Sequence, residues 1–464
     1  MQAGEHSDFF TRKILINNSI IMNLRLKLID LIGQTNIHAW YQFLQKSQYW
    51  SIEQQVSYQE SKLKLLAEHA YNNVPYYQKL FTKLKLKPND IRKLSDLQKL
   101  PVISRKTLQN NYNELMARNH KDYKSQFRST GGTTGEPAKY VSDINSWSLH
   151  WALKYRSWSW GGYKIGDKVA VFGGTSVIPE EKTTLGRITW KRLNNFTYLP
   201  MAHSSEEDLA MYAKLIKMKN IRFLRGYPSS LALFASYCTE HNIKLDIKGV
   251  VTTAEVLLPI FRKSIHSAFG PLIIDTYGCA DGGGNANTCR FNSGFHISAE
   301  SAIWEICDSQ GFPIGNRESG EITLTSLTNY AMPLLRYQPG DVIENSIEAE
   351  VCSCGCTLPR IKAISGRTTD SLKFSNGRTL AGPALTVLFS KFPLKKYQIV
   401  QNKNDEIEIK IIPSKDFNQD QYHQLLLLMQ HHCGNGINII INIVDNIPLP
   451  KSGKHRFIIN NSLL

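Results

Sequence analysis

The sequence has no long hydrophobic run. Its longest apolar stretches, residues 425–429 and 437–444, fall far short of the roughly 18 residues that a membrane-spanning helix needs. The first residues carry Glu5 and Asp8 ahead of Arg12 and Lys13, without the apolar core and small-residue cleavage site of a secretory signal. A cytoplasmic protein is therefore expected. Eight cysteines in 464 residues, without that signal, do not form the pattern of a disulfide framework. There is no internal repeat and no low-complexity segment. Negative charge is scarce: 39 acidic residues face 55 lysines and arginines, a formal charge of +16. Nucleic acid, an anionic membrane surface or a polyphosphate substrate could each answer that excess. No nucleic-acid fold signature accompanies it, so no nucleic-acid partner is expected. The densest basic stretch, from Lys79 to Lys87, reads as a solvated face. Monomer and homodimer stay equally open.

What is present is an ordinary globular composition, 42% apolar and 20% charged, long enough for two or three cores. Residues 1–50 are polar and then helical in pattern, with Leu24, Leu28, Leu31 and Ile32 on one face. Helical spacing of Val56, Leu63, Leu66, Ala67, Ala70 and Tyr71 predicts a helix over 53–71, stopped at Asn73-Val74-Pro75. A second is expected over 103–118. Beyond residue 146 short apolar runs alternate with helical ones: strands over 168–172, 221–224, 249–253 and 271–277, helices over 147–158, 206–218, 229–241 and 261–269. That alternation predicts an α/β fold with a largely parallel sheet. Ligands of such sheets collect at the carboxyl ends of the strands, which places Gly173, Gly226-Tyr227, Ala254-Glu255 and Thr276-Tyr277-Gly278 around one crevice. Residues 295–365 are strand-rich. After Asp370 a smaller unit follows, with strands over 396–401, 406–412 and 438–444, a helix over 419–431 and a basic tail at 448–456.

The chemistry concentrates in four places. Ser129-Thr130-Gly131-Gly132-Thr133-Thr134-Gly135-Glu136-Pro137 exposes many backbone N–H groups and hydroxyls, and glycine lets such a loop close around an anion. It lacks the Gly-Lys-Ser/Thr ending of a Walker loop, the nearest lysine being Lys139. Asp275-Thr276-Tyr277-Gly278-Cys279-Ala280-Asp281 offers an aromatic ring and a carboxylate at a strand end. Leu335-Arg336-Tyr337-Gln338-Pro339-Gly340-Asp341 presents a carboxylate that two sugar hydroxyls could donate to. Gly366-Arg367-Thr368-Thr369-Asp370 precedes the small unit, with Lys454 near its end.

In this order and spacing the motifs resemble the adenylate-forming superfamily, and more narrowly its phenylacetate–CoA ligase-like branch, which includes capsular-polysaccharide-biosynthesis and coenzyme F390 synthetase-like members. The narrower markers are Asn73-Val74-Pro75-Tyr76-Tyr77, the glycine loop, the stretch from Leu327 to Tyr337, and Cys354-Gly355 ahead of Gly366-Arg367. The resemblance spans roughly residues 50–456. It implies an N-terminal helical extension (1–50), a large domain (51–369) with mostly parallel sheets and a β-rich subdomain (295–365), and a small mobile α+β domain (370–464). It further implies that Ser129 to Gly135 cradle the β- and γ-phosphates of ATP, and that Ala254 and Glu255 line the adenine site beside Asp275 and Thr276. Tyr277 with Gly278 would stack on the purine, Asp341 would hold the ribose and Arg367 ribose or phosphate. Asp370 would be the hinge, and Lys454 would reach the substrate carboxylate and the α-phosphate. Asp281 stands where the family usually has a glutamate that binds Mg²⁺, preceded by Ala280 in place of threonine. Direct contact and a bridging water both stay open there.

Cys289, His296, Cys352 and Cys354 supply four ligands suited to tetrahedral Zn²⁺, with Cys356 able to replace Cys352 or Cys354. Trp147, Trp151, Tyr155 and Trp158 share helical spacing and read first as core. His150 and Tyr227 are candidates for the acyl pocket. The expected activity is an ATP-dependent, AMP-forming ligase that converts a carboxylic acid into acyl-AMP and transfers the acyl group to coenzyme A. The alternative acceptor is an amine, in surface-polysaccharide assembly. A non-catalytic homologue that holds polyanions on its basic surface is the rival from another class.

Overall fold

Strands that are aliphatic on both faces need cover on both sides, and this requirement organises the computed structural model. It describes residues 22–129, 138–174, 192–201, 204–270, 272–308, 310–314, 319–344, 351–367, 371–381, 385, 388–389, 391–448 and 455–461. An eight-stranded sheet runs through Phe196–Pro200, Val169–Gly173, Phe223–Gly226, Gly249–Thr253 and Leu272–Cys279, all parallel, then through Gly284–Thr288, Phe295–Ile297 and Arg360–Ile361, which are antiparallel. Alternate residues divide between two cores. Ala170, Phe172, Leu224, Val250 and Ile273 pack with Leu209, Phe234 and Phe261, from the three helices Glu206–Met218, Pro228–Glu240 and Pro259–Phe269. Val169, Val171, Phe223, Val251 and Ile274 pack with Trp151, Tyr155 and Trp158 of helix Ile144–Trp160. Gly226 is glycine for a close approach: a Cβ there would lie 2.4 Å from the Phe172 carbonyl oxygen.

A second, six-stranded sheet pairs Asp341–Glu344 with Ala363–Arg367, bringing Asp341 opposite Arg367. In the C-terminal part a four-stranded sheet of Leu394–Lys403, Glu406–Pro413, Asn438–Ile443 and Ile458–Asn460 carries helix Gln419–Cys433. Its apolar residues continue the first core, with the Phe261 and Phe457 rings 6.0 Å apart.

Two expectations need correction, and one gains a detail. The helix expected over 103–118 is broken. Ile103–Ser104 pairs as a strand with Tyr337–Gln338, and Ser104 Oγ then accepts the Thr107 N–H to start the short helix Arg105–Asn110. Pro75 does end helix Ile52–Asn73, yet it also starts helix Pro75–Leu84, since an N-terminal proline loses no hydrogen bond. Residues 22–33 are helical, but Leu24, Leu28, Leu31 and Ile32 are exposed, while Leu26 and Ile29 are buried. The rotation follows from Asp30, whose carboxylate accepts the backbone N–H groups of Ile37 and His38 at 2.7 and 2.9 Å, docking the helix onto the next. Among the described residues no helix is long and apolar enough to cross a membrane.

Candidate active site and metal centre

The carboxyl end of strand Leu272–Cys279 emerges from the core: Ile273 to Asp275 are buried, Thr276 and Tyr277 half-buried, Gly278 exposed. Added bulk at Gly278 would meet nothing within 4 Å, so the strand end borders open space. Tyr277 Oη donates to Asp341 Oδ2 at 2.6 Å, and its ring stands edge-on to Trp304 at 5.8 Å. Burial raises the Tyr277 hydroxyl well above its ordinary pKa, and Asp341 adds to that, so Tyr277 stays a donor. Thus the Tyr277 ring and the Asp341 carboxylate form one unit. Asp281 is buried; its Oδ2 accepts from Tyr337 Oη at 2.7 Å and its Oδ1 faces Cys279 Sγ at 3.1 Å. Each oxygen already has one partner, an arrangement that suits a hydrated cation better than direct ligation, because Mg²⁺ keeps several of its waters.

The neighbouring strand, Gly249–Thr253, is followed by Ala254, held at φ 69°. A non-glycine residue at positive φ is strained and belongs to places where the surroundings fix the backbone. Here they fix Glu255, whose Oε2 accepts the Ser229 N–H at 3.2 Å and whose Oε1 accepts the His455 N–H at 2.7 Å. The latter bond ties the C-terminal part to this edge through the residue that follows Lys454. Asp275 faces inward and accepts from Thr252 Oγ1 at 2.6 Å; Thr276 Oγ1 donates to the Thr252 carbonyl at 2.6 Å. Both are inter-strand ties. Tyr227 is fully enclosed at the start of helix Pro228–Glu240. His150, in contrast, lines a cavity of about 30 Å³ together with Trp147, Tyr140, Cys279, Ala280 and Gly284. Ser129 ends one strand of the hairpin Gln126–Ser129 and Lys139–Ser142 that flanks the glycine loop. Thr130, Gly131, Gly132, Thr133, Thr134, Gly135, Asp370 and Lys454 lie outside the described residues, as does the Arg367 side chain. Sequence reasoning missed Tyr337 and Trp304 as supports of this site. It also missed the Glu255–His455 tie. The first two follow motif residues or sit in a plain strand, and only pairing brings them in.

The ligand atoms of Cys289, His296, Cys352 and Cys354 all lie within 4.8 Å of one another. Cys289 Sγ is 3.7 Å from Cys352 Sγ, and Cys354 Sγ is 3.5 Å from His296 Nε2. Tetrahedral zinc with ordinary bond lengths would set such separations at about 3.8 and 3.6 Å. His296 Nδ1 sits 3.4 Å from the Leu358 carbonyl oxygen, the second contact that leaves Nε2 for a metal. Cys356 packs with Ala299 and Leu358 and is not one of these four.

A mostly parallel sheet covered on both faces, a strand-rich neighbour and a small α+β unit closing on the strand ends together form the adenylate-forming ligase fold. The chain superposes on 2-hydroxyisobutyryl-CoA ligase in its postadenylation state with a TM-score of 0.69, at 16% identity, over 89% of this chain and 93% of that one. In sequence it is similar to the phenylacetate-coenzyme A ligase of Thermus thermophilus, 27% identical over 77% of this chain and 81% of that protein. It is also similar to Protein CapK of Staphylococcus aureus, 25% identical over 85% of this chain and 87% of CapK. Residues 375–461 match the CapK C-terminal domain.

Proposed function

We propose that this protein is an ATP-dependent, AMP-forming ligase that adenylates a carboxylic acid and then passes the acyl group to coenzyme A. The observation that carries the reading is the Tyr277–Asp341 unit at the open strand end, on the sheet edge where Glu255 takes the His455 N–H. In this reading Tyr277 stacks on the purine while its hydroxyl orients Asp341 toward the ribose, and the glycine loop from Ser129 to Gly135 holds the phosphates. The acid's oxygen attacks the α-phosphorus and pyrophosphate leaves; Lys454, carried beside His455, offsets the charge that develops. A thiol then attacks the acyl carbon and AMP leaves. Arg367 supports the nucleotide and Asp370 is the hinge that lets Lys454 withdraw. Mg²⁺, held through water by Asp281, would neutralise the phosphates. The Cys289–His296–Cys352–Cys354 cluster would hold a closed structural zinc. An amine is the alternative acceptor, and an amide bond synthetase shares the fold with a TM-score of 0.50.

Pyrophosphate release from ATP, Mg²⁺ and a panel of carboxylic acids tests the reading. At least one acid should give turnover, and Lys454→Ala should lower it about 10²–10³-fold, the usual loss for a positioned charge-stabilising group. Turnover that survives Lys454→Ala unchanged, or none with any acid, refutes it; product masses separate thioester from amide. For the metal, purified protein should hold about one equivalent of zinc, and less than about a tenth of an equivalent would end that assignment.

A further inference from the structure

Arg225 is out of place by its own register. It pairs with Val171 on one side and Val251 on the other, in a row of aliphatics facing helix Ile144–Trp160, yet it is a cation and only 8% exposed. Its guanidinium lies 5.4 Å from the Trp158 ring centre. On the same helix Lys154 Nζ lies 4.3 Å over Trp151, and Arg128 reaches in from the hairpin to lie 3.7 Å over Trp147, on which His150 also stacks. Arg128 donates to Gln126 Oε1. Among the described residues no carboxylate pairs with Arg128, Lys154 or Arg225, and neither Lys154 Nζ nor the Arg225 guanidinium has a hydrogen-bond acceptor. Cation–π contacts contribute about 0.5–2 kcal/mol each, whereas an unpaired buried ion costs several kcal/mol. The aromatic rings alone do not stabilise the cluster. An anion would.

The cluster adjoins the proposed site through Trp147 and His150, which the cations themselves stand behind. His150 and Trp147 line the cavity that Cys279 and Ala280 bound from the strand end, where the acyl group of an adenylate would begin. We propose that the acid activated here carries a second anionic group, carboxylate or phosphate, which Arg225 and Lys154 bind at the far end of the acyl pocket, with Arg128 and His150 beside them. This rests on the ligase reading and names its substrate class. Burial, reinforced by the neighbouring cations, pushes His150 and Lys154 well down from their ordinary pKa values, as expected of a cation site that awaits its anion.

Two measurements decide it. In pyrophosphate release, small dicarboxylates and phosphorylated carboxylates are compared with phenylacetate and other monoanionic acids of similar size. A dianionic acid should have a KM about ten- to a hundredfold lower than its monoanionic counterpart, the scale of one or two charge-assisted hydrogen bonds. Arg225→Gln and, independently, Lys154→Met should erase most of that preference and leave the KM for ATP unchanged. Preference for monoanionic acids, or an effect of both variants on ATP instead, overturns the proposal while leaving the ligase reading intact. Calorimetric titration of the same acids without ATP works even if no acid is turned over. Dianion binding that both variants abolish upholds the anion site; absence of dianion binding to the wild-type protein rejects it.

Discussion

Two arginines near one helix face opposite fates. Arg156, on helix Ile144–Trp160, is fully buried, and its Nη1 donates to Glu300 Oε1 at 2.7 Å while Nη2 donates to Ser298 Oγ at 2.8 Å. Ser47 Oγ donates to the same Glu300 oxygen at 2.6 Å, so one ion pair fastens the N-terminal helix Ile37–Ser47, the aromatic helix and the strand-rich region. Arg225, against the same helix, has a tryptophan face and no acid among the described residues. The first charge is compensated within the fold, and removing it subtracts stability. The second has no such partner among the described residues, and on the proposal above its counter-charge comes with the substrate. The thiol and imidazole donors of the proposed zinc centre mirror the second case, as a donor cluster that awaits a cation.

The difference can be measured with matched substitutions to methionine, which keep bulk and remove charge. Arg156→Met leaves Glu300 buried without its counter-charge and should destabilise by about 3–5 kcal/mol in chemical denaturation. Lys154→Met, two residues away, removes a cation that, among the described residues, has a tryptophan face and other cations around it but no counter-charge. It should raise stability by about 0.5–2 kcal/mol at the expense of function. Equal losses from both substitutions would show that Lys154 has a counter-charge inside the fold, and the contrast would collapse.

Much of the scaffold was legible before any coordinates. Helix Glu206–Met218 and strand Gly249–Thr253 have the bounds their patterns predict, the helix from its apolar spacing and the strand from a β-branched run. Gly284–Thr288 was not legible. Its sequence Gly-Asn-Ala-Asn-Thr has loop composition, yet every residue is buried, and all its side-chain polar atoms but Asn287 Oδ1 are answered locally: Asn285 Nδ2 donates to the Tyr277 carbonyl, Asn287 Nδ2 to Asn285 Oδ1, and Thr288 Oγ1 accepts the Asp275 N–H. Strand Phe196–Pro200 sits at the sheet edge with half-exposed residues, so its pattern is diluted. At the site, motif order brought out Tyr277, Asp341 and the zinc-type quartet, since residue type carries that chemistry. The cation cluster escaped because its members come from a hairpin, a helix and a strand, each unremarkable in its own segment.

A third way to bury a titratable group is to keep it neutral, and His455 does this where the C-terminal part meets Glu255. Its Nε2–H donates to the Tyr397 carbonyl at 2.7 Å, while Nδ1 is buried with no hydrogen-bond partner among the described residues. Burial, with Lys396 nearby, pushes the imidazole down to about 3. An unfolded histidine titrates near 6.5, so the unfolded chain takes up the proton first as pH falls. The stability from His455 is therefore whole above about pH 6.5 and is lost as pH drops from there toward 3. Between pH 7 and pH 6 the expected loss is about 0.7 kcal/mol, the smallest effect considered. Denaturation midpoints of wild type and His455→Gln at the two pH values isolate it: the wild type should lose that much more than the variant. An equal loss in both would mean that His455 accepts a proton in place, and that the contact carrying the residue after Lys454 is open to water.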